Sequence, residues 1–326
     1  MSYGLIDNLN LVYNGNQLES VNDNATGHVF GNGMEFKDGA SKEIEYEYDV
    51  NGNLTKDLNK KIADIQYNCL NLPEKVQFEG GNSISYLYAA DGTKLRTTYK
   101  TGNATTITDY CGNAIYENGV LIKVLTEDGY ITVSNNQFHY FIQDHQGNNR
   151  VVVAQNGTVE EVNDYYPFGG VFGTTGNTQP YKYNGKEFDN KKGLNWYDYG
   201  ARHYDTALGR FTTNDRFAEK YYSMSPYQYG ANSPVVNIDV NGDSIRICTE
   251  TQSFGHTWIS VGEGSNMTVY SYGRYNGTNK GPDRSSNSLG NGSGVLLKLM
   301  GDEAKAYNDK KSSWWNVCIC SNRCGR

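Results

Sequence analysis

No run of apolar residues in this chain approaches the ~18 needed to cross a bilayer as a helix, so a helical membrane span is excluded. Long basic runs are missing too. The net charge of -7 argues against a surface built to hold nucleic-acid phosphates. Proline is scarce at 6 residues while glycine reaches 37, which rules out a collagen-like or proline-rich linker and suits a chain of tight turns. Of the six cysteines, Cys69, Cys111 and Cys248 are far apart, so no disulfide framework is marked out. The opening MSYGLIDNLNLVYNG has neither a basic segment nor an apolar core, so it does not read as a signal peptide. It reads as the middle of a repeat, and the expectation is a C-terminal piece of a longer polypeptide or a shortened copy of one.

What the chain does have is tyrosine, 27 residues of it, which with the other aromatics argues against disorder. The tyrosines recur in a pattern. Tyr46-Glu-Tyr48-Asp-Val-Asn-Gly52 is echoed by Tyr86-Leu-Tyr88-Ala-Ala-Asp-Gly92, and Tyr67 lies about midway. Tyr-x-Tyr places two rings on one strand face. Asn51-Gly52 and Asp91-Gly92 are expected to be hairpin turns with positive φ at both positions. The unit is roughly 20 residues, with a weaker start at Tyr13, and such self-similarity indicates stacked repeats. Residues 101–135 read as a degenerate continuation, and Asp144-His-Gln-Gly147 followed by Val151-Val-Val153 as a last regular hairpin. His139 and His145 have the chemistry of metal ligands but no cysteine nearby, so both read as structural, and no metal or cofactor is expected.

From Tyr181 to Gly242 the pattern tightens. YKYNGKE, LNWYDYGARHYD, LGRF, SPYQY and NSPVVNIDVNG follow one another in that order. This stretch resembles the RHS repeat-associated core domain, and the upstream units resemble the YD repeats that precede it. The resemblance covers roughly residues 30 to 243. It implies a mainly β fold: YD/RHS-type repeats over 1–135, the core domain over 136–243, and a variable C-terminal region over 244–326 forming a small α+β tail. In this family the repeats wind into a hollow shell that the core plugs, so the resemblance implies part of a polymorphic toxin that presents a C-terminal effector. Partners would be the rest of a longer RHS polypeptide or the chain's own tail, and an immunity protein. The implied location is secreted or cell-surface, and the implied setting is competition between bacteria. Arg202 and Arg210 are expected to be buried ion-pair or stacking residues within the core.

Some family members cut themselves at the end of the core with two aspartates. The matching positions are Asp215 and Asp239, with a cut near Asp243-Ser244. Neither stands in the family's Asp-Pro-x-Gly setting, and Asp243 replaces the usual Leu. Two carboxylates forced together divide into an acid and a base; in turns, the same residues merely shape the backbone. In the tail, Phe254-Gly-His256-Thr-Trp258-Ile resembles the histidine strand of permuted papain-like peptidases and amidases, with Cys318 as the nucleophile by order. Cys318-x-Cys320-x3-Cys324 offers three thiols where a zinc site wants four ligands. Leu296 to Lys311 has helical spacing. A third reading is a cell-surface binding module, which requires an exposed aromatic patch.

Overall fold

The computed structural model describes residues 5–25, 34–220 and 222–243, together with the strand backbones 246–249, 257–261, 268–273 and 295–300 and positions 302 and 305. The dominant element is one antiparallel sheet of fourteen strands, from β3 (Tyr46–Tyr48) to β16 (Val171–Thr175), in which every strand pairs with its neighbours in sequence. A hairpin of β1 (Leu9–Asn14) and β2 (Gln17–Asp23) stands beside β3, and the buried Glu45 carboxylate accepts from the Val21 amide and from the Asn59 side chain. A mainly β fold is therefore what the chain adopts.

The repeat is visible in the turns. Tyr48, Tyr67 and Tyr88 each precede a turn that opens at Asp49, Asn68 or Ala89. In the first, Asp49 accepts from the amides of Asn51 and Asn53, and the Gly52 amide returns to the Asp49 carbonyl. Only Gly52 has positive φ, and the same holds for Gly92 in the third turn. The expected pairs of positive-φ residues are thus replaced by longer loops closed by one left-handed residue. An Asx-type carboxylate or amide bond does the shaping. Asp144 repeats the arrangement before Gly147.

The two faces of this sheet differ. Pairing Ile65 with Val76, Val76 with Ile84 and Ile84 with Tyr99 sends these side chains inward. The opposite face of the same strands carries Gln66, Lys75, Ser85 and Thr98. Residues 104–132, expected to be degenerate, continue the meander as β9 (Ala104–Cys111), β10 (Ala114–Glu117), β11 (Val120–Thr126) and β12 (Gly129–Thr132). Beyond them come β13 (Gln137–Gln143), β14 (Asn149–Ala154) and β15 (Val159–Tyr165).

Against the inner face lies a small sheet of β17 (Glu187–Asp189), β18 (Trp196–Asp198), β19 (His203–Asp205) and β20 (Arg210–Phe211), which is the tight motif of the sequence. Alternation on β18 splits it between two cores. Trp196, fully buried, joins Leu54, Ile62, Ile65, Val76 and Ile84 of the large sheet. Tyr197 joins Tyr183, Tyr199, Tyr204, Phe211 and Tyr229. Burial of so many phenols requires partners for their hydroxyls. Tyr183, Tyr204 and Tyr197 donate to the carbonyls of Pro167, Phe168 and Gly169 at 2.9, 2.9 and 3.3 Å. Tyr199 and Tyr229 both reach Asn184 Oδ1 at 2.7 Å.

After residue 243, β21 (Arg246–Thr249), β22 (Thr257–Val261), β23 (Thr268–Gly273) and β24 (Val295–Met300) form a separate antiparallel sheet. The first part of the expected 296–311 helix is therefore strand: Val295–Met300 pairs in register with Thr268–Gly273, and this pairing overrides the helical spacing.

Candidate functional site

The two aspartates singled out in the sequence meet at one guanidinium. Arg202 follows the Gly200 turn between β18 and β19, which aims its side chain at the end of the core. Its Nη2 lies 2.9 Å from Asp215 Oδ2 and 3.6 Å from Asp239 Oδ2. Nη1 donates to the Pro226 carbonyl at 3.0 Å, Nε donates to the Gly242 carbonyl, and the guanidinium stacks 3.7 Å over the Phe211 ring. Every donor face is used. Arg202 and Asp239 are buried, at 4% and 5% exposure, so this charge cluster is screened from water.

Each aspartate also shapes backbone. Asp215 Oδ1 accepts from the Phe217 amide at 2.8 Å, and Asp239 Oδ1 from the Gly242 amide at 2.6 Å. Gly242 has φ of +74°, and a Cβ there would lie 3.0 Å from Arg202 N and 3.1 Å from Tyr199 Cβ. The close approach that lets its carbonyl reach Arg202 therefore needs glycine. Asp243 follows directly and pairs with Arg216.

Burial dominates the titration here. It pushes the Asp239 carboxyl up despite Arg202. It pushes Asp243 up to about 6, despite Arg216 and Arg202. Desolvation also pulls the Arg202 guanidinium down. The position between Asp215 and Asp239 where a shared proton would sit is taken by a cation, which relieves their mutual repulsion. Chemically the node can do two things. It holds the chain end at 239–243 to the core, and it places two carboxyls with raised pKa, Asp239 and Asp243, beside that end. Ser244, the other side of the expected cut, lies outside the described residues, as do His256, Cys318, Cys320 and Cys324.

Arg210, the other expected core arginine, donates to the Asn16 carbonyl at 2.7 Å and lies over the Tyr13 and Tyr227 rings, tying the core to the first hairpin. His139 stacks on Tyr130 at 4.3 Å, with Nδ1 2.5 Å from Glu160 and Nε2 2.9 Å from Thr132 Oγ1. His145 is exposed in the Asp144–Gly147 turn. Among the described residues no cluster of three or more His, Cys, Asp or Glu is arranged to hold a metal ion. Cys69 and Cys111 are exposed free thiols.

A second polar cluster has no counterpart in the sequence reading. Lys94, on β8 (Lys94–Thr101), reaches from the large sheet to Asp198 at 2.6 Å and Glu187 at 2.8 Å on the small one. Burial opposes charge on Asp198, but Lys94 outweighs it and holds the carboxyl far below the usual range. Tyr86 and Tyr99 donate to Asp189, and Tyr110 to Glu187. His203 lines the same pocket, with its Nδ1 buried and unpartnered and its pKa pulled down by burial. Nearer β3, Lys60 pairs with Asp205 at 3.2 Å, and burial pushes the neighbouring Asp57 up to about 6. The small sheet is thus joined to the large one and its turns by buried ion pairs between residues far apart in sequence, Lys94 with Glu187 and Asp198 and Lys60 with Asp205.

Comparison with known proteins places this architecture. No family model matches the chain. It is 30% identical over 223 residues to Salivary gland surface protein 1 of Aedes aegypti, an alignment spanning 60% of this chain and 6% of that protein. Among solved structures, TcdB2-TccC3-Cdc42 and TcdB2-TccC3 superpose with TM-scores of 0.56 and 0.55 at 17% identity. Each covers 72% of this chain and 13% of the larger one. The chain therefore corresponds in length to a small part of every one of these relatives. What it shares with the TcdB2-TccC3 structures is a fold: a mainly β architecture dominated by a large antiparallel sheet.

Proposed function

We propose that this chain is the wall and plug of an RHS-type shell, a structural and delivery part of a toxin, whose C-terminal region 244–326 is the cargo it presents. One observation carries the reading. Fourteen strands in simple sequential order build a wall, and the small sheet 187–211 is locked onto one face by buried ion pairs and a tyrosine core. Between the two sheets, Lys94, Glu187, Asp198 and Asp189 are engaged with one another or with tyrosine hydroxyls, an arrangement suited to holding a plug in place. The likeness to TcdB2-TccC3, which are Tc toxin chains, supports the same reading, as do the motifs that resemble the RHS core. In this reading, the repeats over 1–135 begin the wall, the core domain over 136–243 supplies its last strands, β13–β16, as well as the plug, and the partners are further wall strands of a longer polypeptide and a protein that neutralises the cargo.

The Arg202 node gives the cargo its anchor. A second activity, self-cleavage near Asp243-Ser244 by Asp215 and Asp239, is favoured by the raised pKa of Asp239 and Asp243. A carboxyl whose pKa is raised can donate its proton to the leaving amide nitrogen, while a carboxylate partner takes a proton from the attacking water, whose oxygen ends on the new carboxyl terminus. Intact mass of the purified chain, beside Asp215→Asn and Asp239→Asn, separates the two. Fragments ending at residue 243, lost in either variant, establish cleavage; one mass near 36.4 kDa leaves an anchored cargo. The wall-and-plug reading itself is tested by brief proteolysis. The expected result is a resistant core ending near Asp243. First cuts between residues 176 and 243 would overturn it, because a plug that detaches from the wall cannot anchor anything.

A further inference from the structure

Three buried polar side chains near the end of the large sheet take no part in the clusters described above. Glu161 and Asn163 stand two apart on β15, so both lie on one face of the strand. Lys182 lies in the segment between β16 and β17. Their exposures are 0%, 0% and 3%. Lys182 Nζ donates to Glu161 Oε1 at 2.7 Å and lies 3.4 Å from Asn163 Oδ1. Asn163 Nδ2 donates to the same carboxylate oxygen at 2.6 Å and to the Asn149 carbonyl at 3.1 Å. Thr174 Oγ1, on β16, donates to Asn163 Oδ1 at 3.4 Å. Gln179 Nε2 donates to Glu161 Oε1 at 3.1 Å, and the Thr178 amide and hydroxyl donate to Oε2 at 2.7 and 3.2 Å.

A buried lysine–glutamate pair alone is a non-covalent staple. The carboxamide beside it adds chemistry. Its carbonyl oxygen faces the amine and a hydroxyl donor, and its nitrogen faces the carboxylate. Amide exchange needs those three things: a nucleophilic amine, a polarised carbonyl carbon, and a group that carries protons between the two nitrogens. Asn163 Cγ is one bond of about 1.2 Å from Oδ1, so Nζ lies within about 4.6 Å of it, at most about an ångström beyond a near-attack contact. Burial pushes the Glu161 carboxyl up, but the donors on Asn163 and Lys182 outweigh it and hold it below its usual range. The pair therefore rests as carboxylate and ammonium. One proton moved along the 2.7 Å contact frees the amine, a transfer that burial of both charges assists. We propose that Lys182 and Asn163 join in an intramolecular amide bond, Nζ to Cγ, with Glu161 as the proton carrier. Nζ gives a proton to Glu161 Oε1, its lone pair attacks Cγ, and the carbonyl electrons move to Oδ1, where Thr174 donates. Glu161 passes the proton to Nδ2 and takes the second one from Nζ. The Cγ–Nδ2 bond breaks, and ammonia leaves with the bonding pair and collects the proton from Glu161. A lysine ammonium and a carboxamide become an amide and an ammonium ion, with Glu161 restored and no oxidant or further reactant consumed. The bond ties β15 of the large sheet to the residue before Tyr183 of the tyrosine core. The inference goes beyond the shell reading and does not depend on it.

Intact mass of the purified full chain, with tandem mass spectrometry of its peptides, tests it. The expected result is a chain lighter than its sequence mass by one ammonia, and a branched peptide that joins the segment holding Asn163 to the segment holding Lys182. Lys182→Arg and Glu161→Gln should each show the full sequence mass of the variant. Lys75→Arg, on the far face of the large sheet, should keep the deficit. Removing one member of a buried pair can unfold a chain, so far-UV circular dichroism accompanies each variant and the mass of the folded parent is the deciding reading. A folded parent at full sequence mass after prolonged incubation overturns the proposal. So does a deficit that maps to an Asn-Gly turn such as Asn51-Gly52, where backbone cyclisation also releases ammonia. A branched peptide that persists in folded Glu161→Gln overturns the route assigned to Glu161.

Discussion

Arg202→Met removes the one cation shared by Asp215 and Asp239 while keeping most of the side-chain volume. The Asp239 carboxylate is left buried beside an apolar group, and stranding a buried charge costs about 3–5 kcal/mol. The carbonyl of Gly242 also loses its donor, adding about 1 kcal/mol or more where water does not replace it, while that of Pro226 keeps the Asp215 amide. Guanidinium denaturation followed by fluorescence of the fully buried Trp196 reads the loss as a lower midpoint. The deficit also depends on pH, and the sign is fixed. Asp239 already has a folded-state pKa above its unfolded value, and without Arg202 it rises further. The variant's folded state therefore takes up a proton as pH falls, and its gap to the parent narrows toward pH 4 and widens toward pH 8. The double variant Arg202→Met/Asp239→Asn should recover a large share of the loss. A single variant within about 1 kcal/mol of the parent, or a deficit equal at pH 4 and pH 8, would refute the view that Arg202 is an electrostatic clamp.

Gly242→Ala should cost about 1–3 kcal/mol, because a left-handed residue gains a Cβ against Arg202 N and Tyr199 Cβ. Gly157→Ala, also left-handed (φ +85°) but open to solvent, should cost less by equilibrium denaturation, and equal costs would remove the packing argument. Asp57 carries a buried carboxylate oxygen with no partner, and its pKa is raised to about 6 by burial. Its folded value lies above the unfolded one, so wild-type stability is lost as pH rises through 6. Asp57→Asn should therefore melt higher than the parent at pH 8 and lose that advantage near pH 5.

The repeats and the plug were legible because they are local. Tyr-x-Tyr followed by Asp or Asn and Gly states a strand and its turn within ten residues, and the motif from Glu187 to Phe211 holds all four strands of the small sheet. The φ pattern of the turns was less accessible. Asn51-Gly52 is compatible with several loops, and the choice is made by the Asp49 carboxylate capping two amides. What joins wall to plug was not legible at all. Lys94 gives no cue that Asp198 is its partner, since a lysine in a strand ordinarily faces water. Arg202, Asp215 and Asp239 were each marked out, but their convergence on one guanidinium depends on a fold that brings three loops together. Over Leu296–Met300 the helical spacing failed because a hydrogen-bonded partner strand outweighs intrinsic period.

The purely sequential order of the fourteen strands has a kinetic consequence. Each strand finds its partner at the end of the preceding turn, so the wall has low contact order and can zip up as the chain emerges, a hairpin at a time. The plug cannot. Its ion pairs reach back from Glu187 and Asp198 to Lys94, and they form only once the whole wall exists to receive them. Closure is therefore the last folding event, and unfolding from the C-terminal side is the first step backward. In the proposed wall-and-plug reading, a polypeptide attached beyond Asp243 stays outside until the plug has seated, and assembly of the wall and confinement of its content become two separable steps in time.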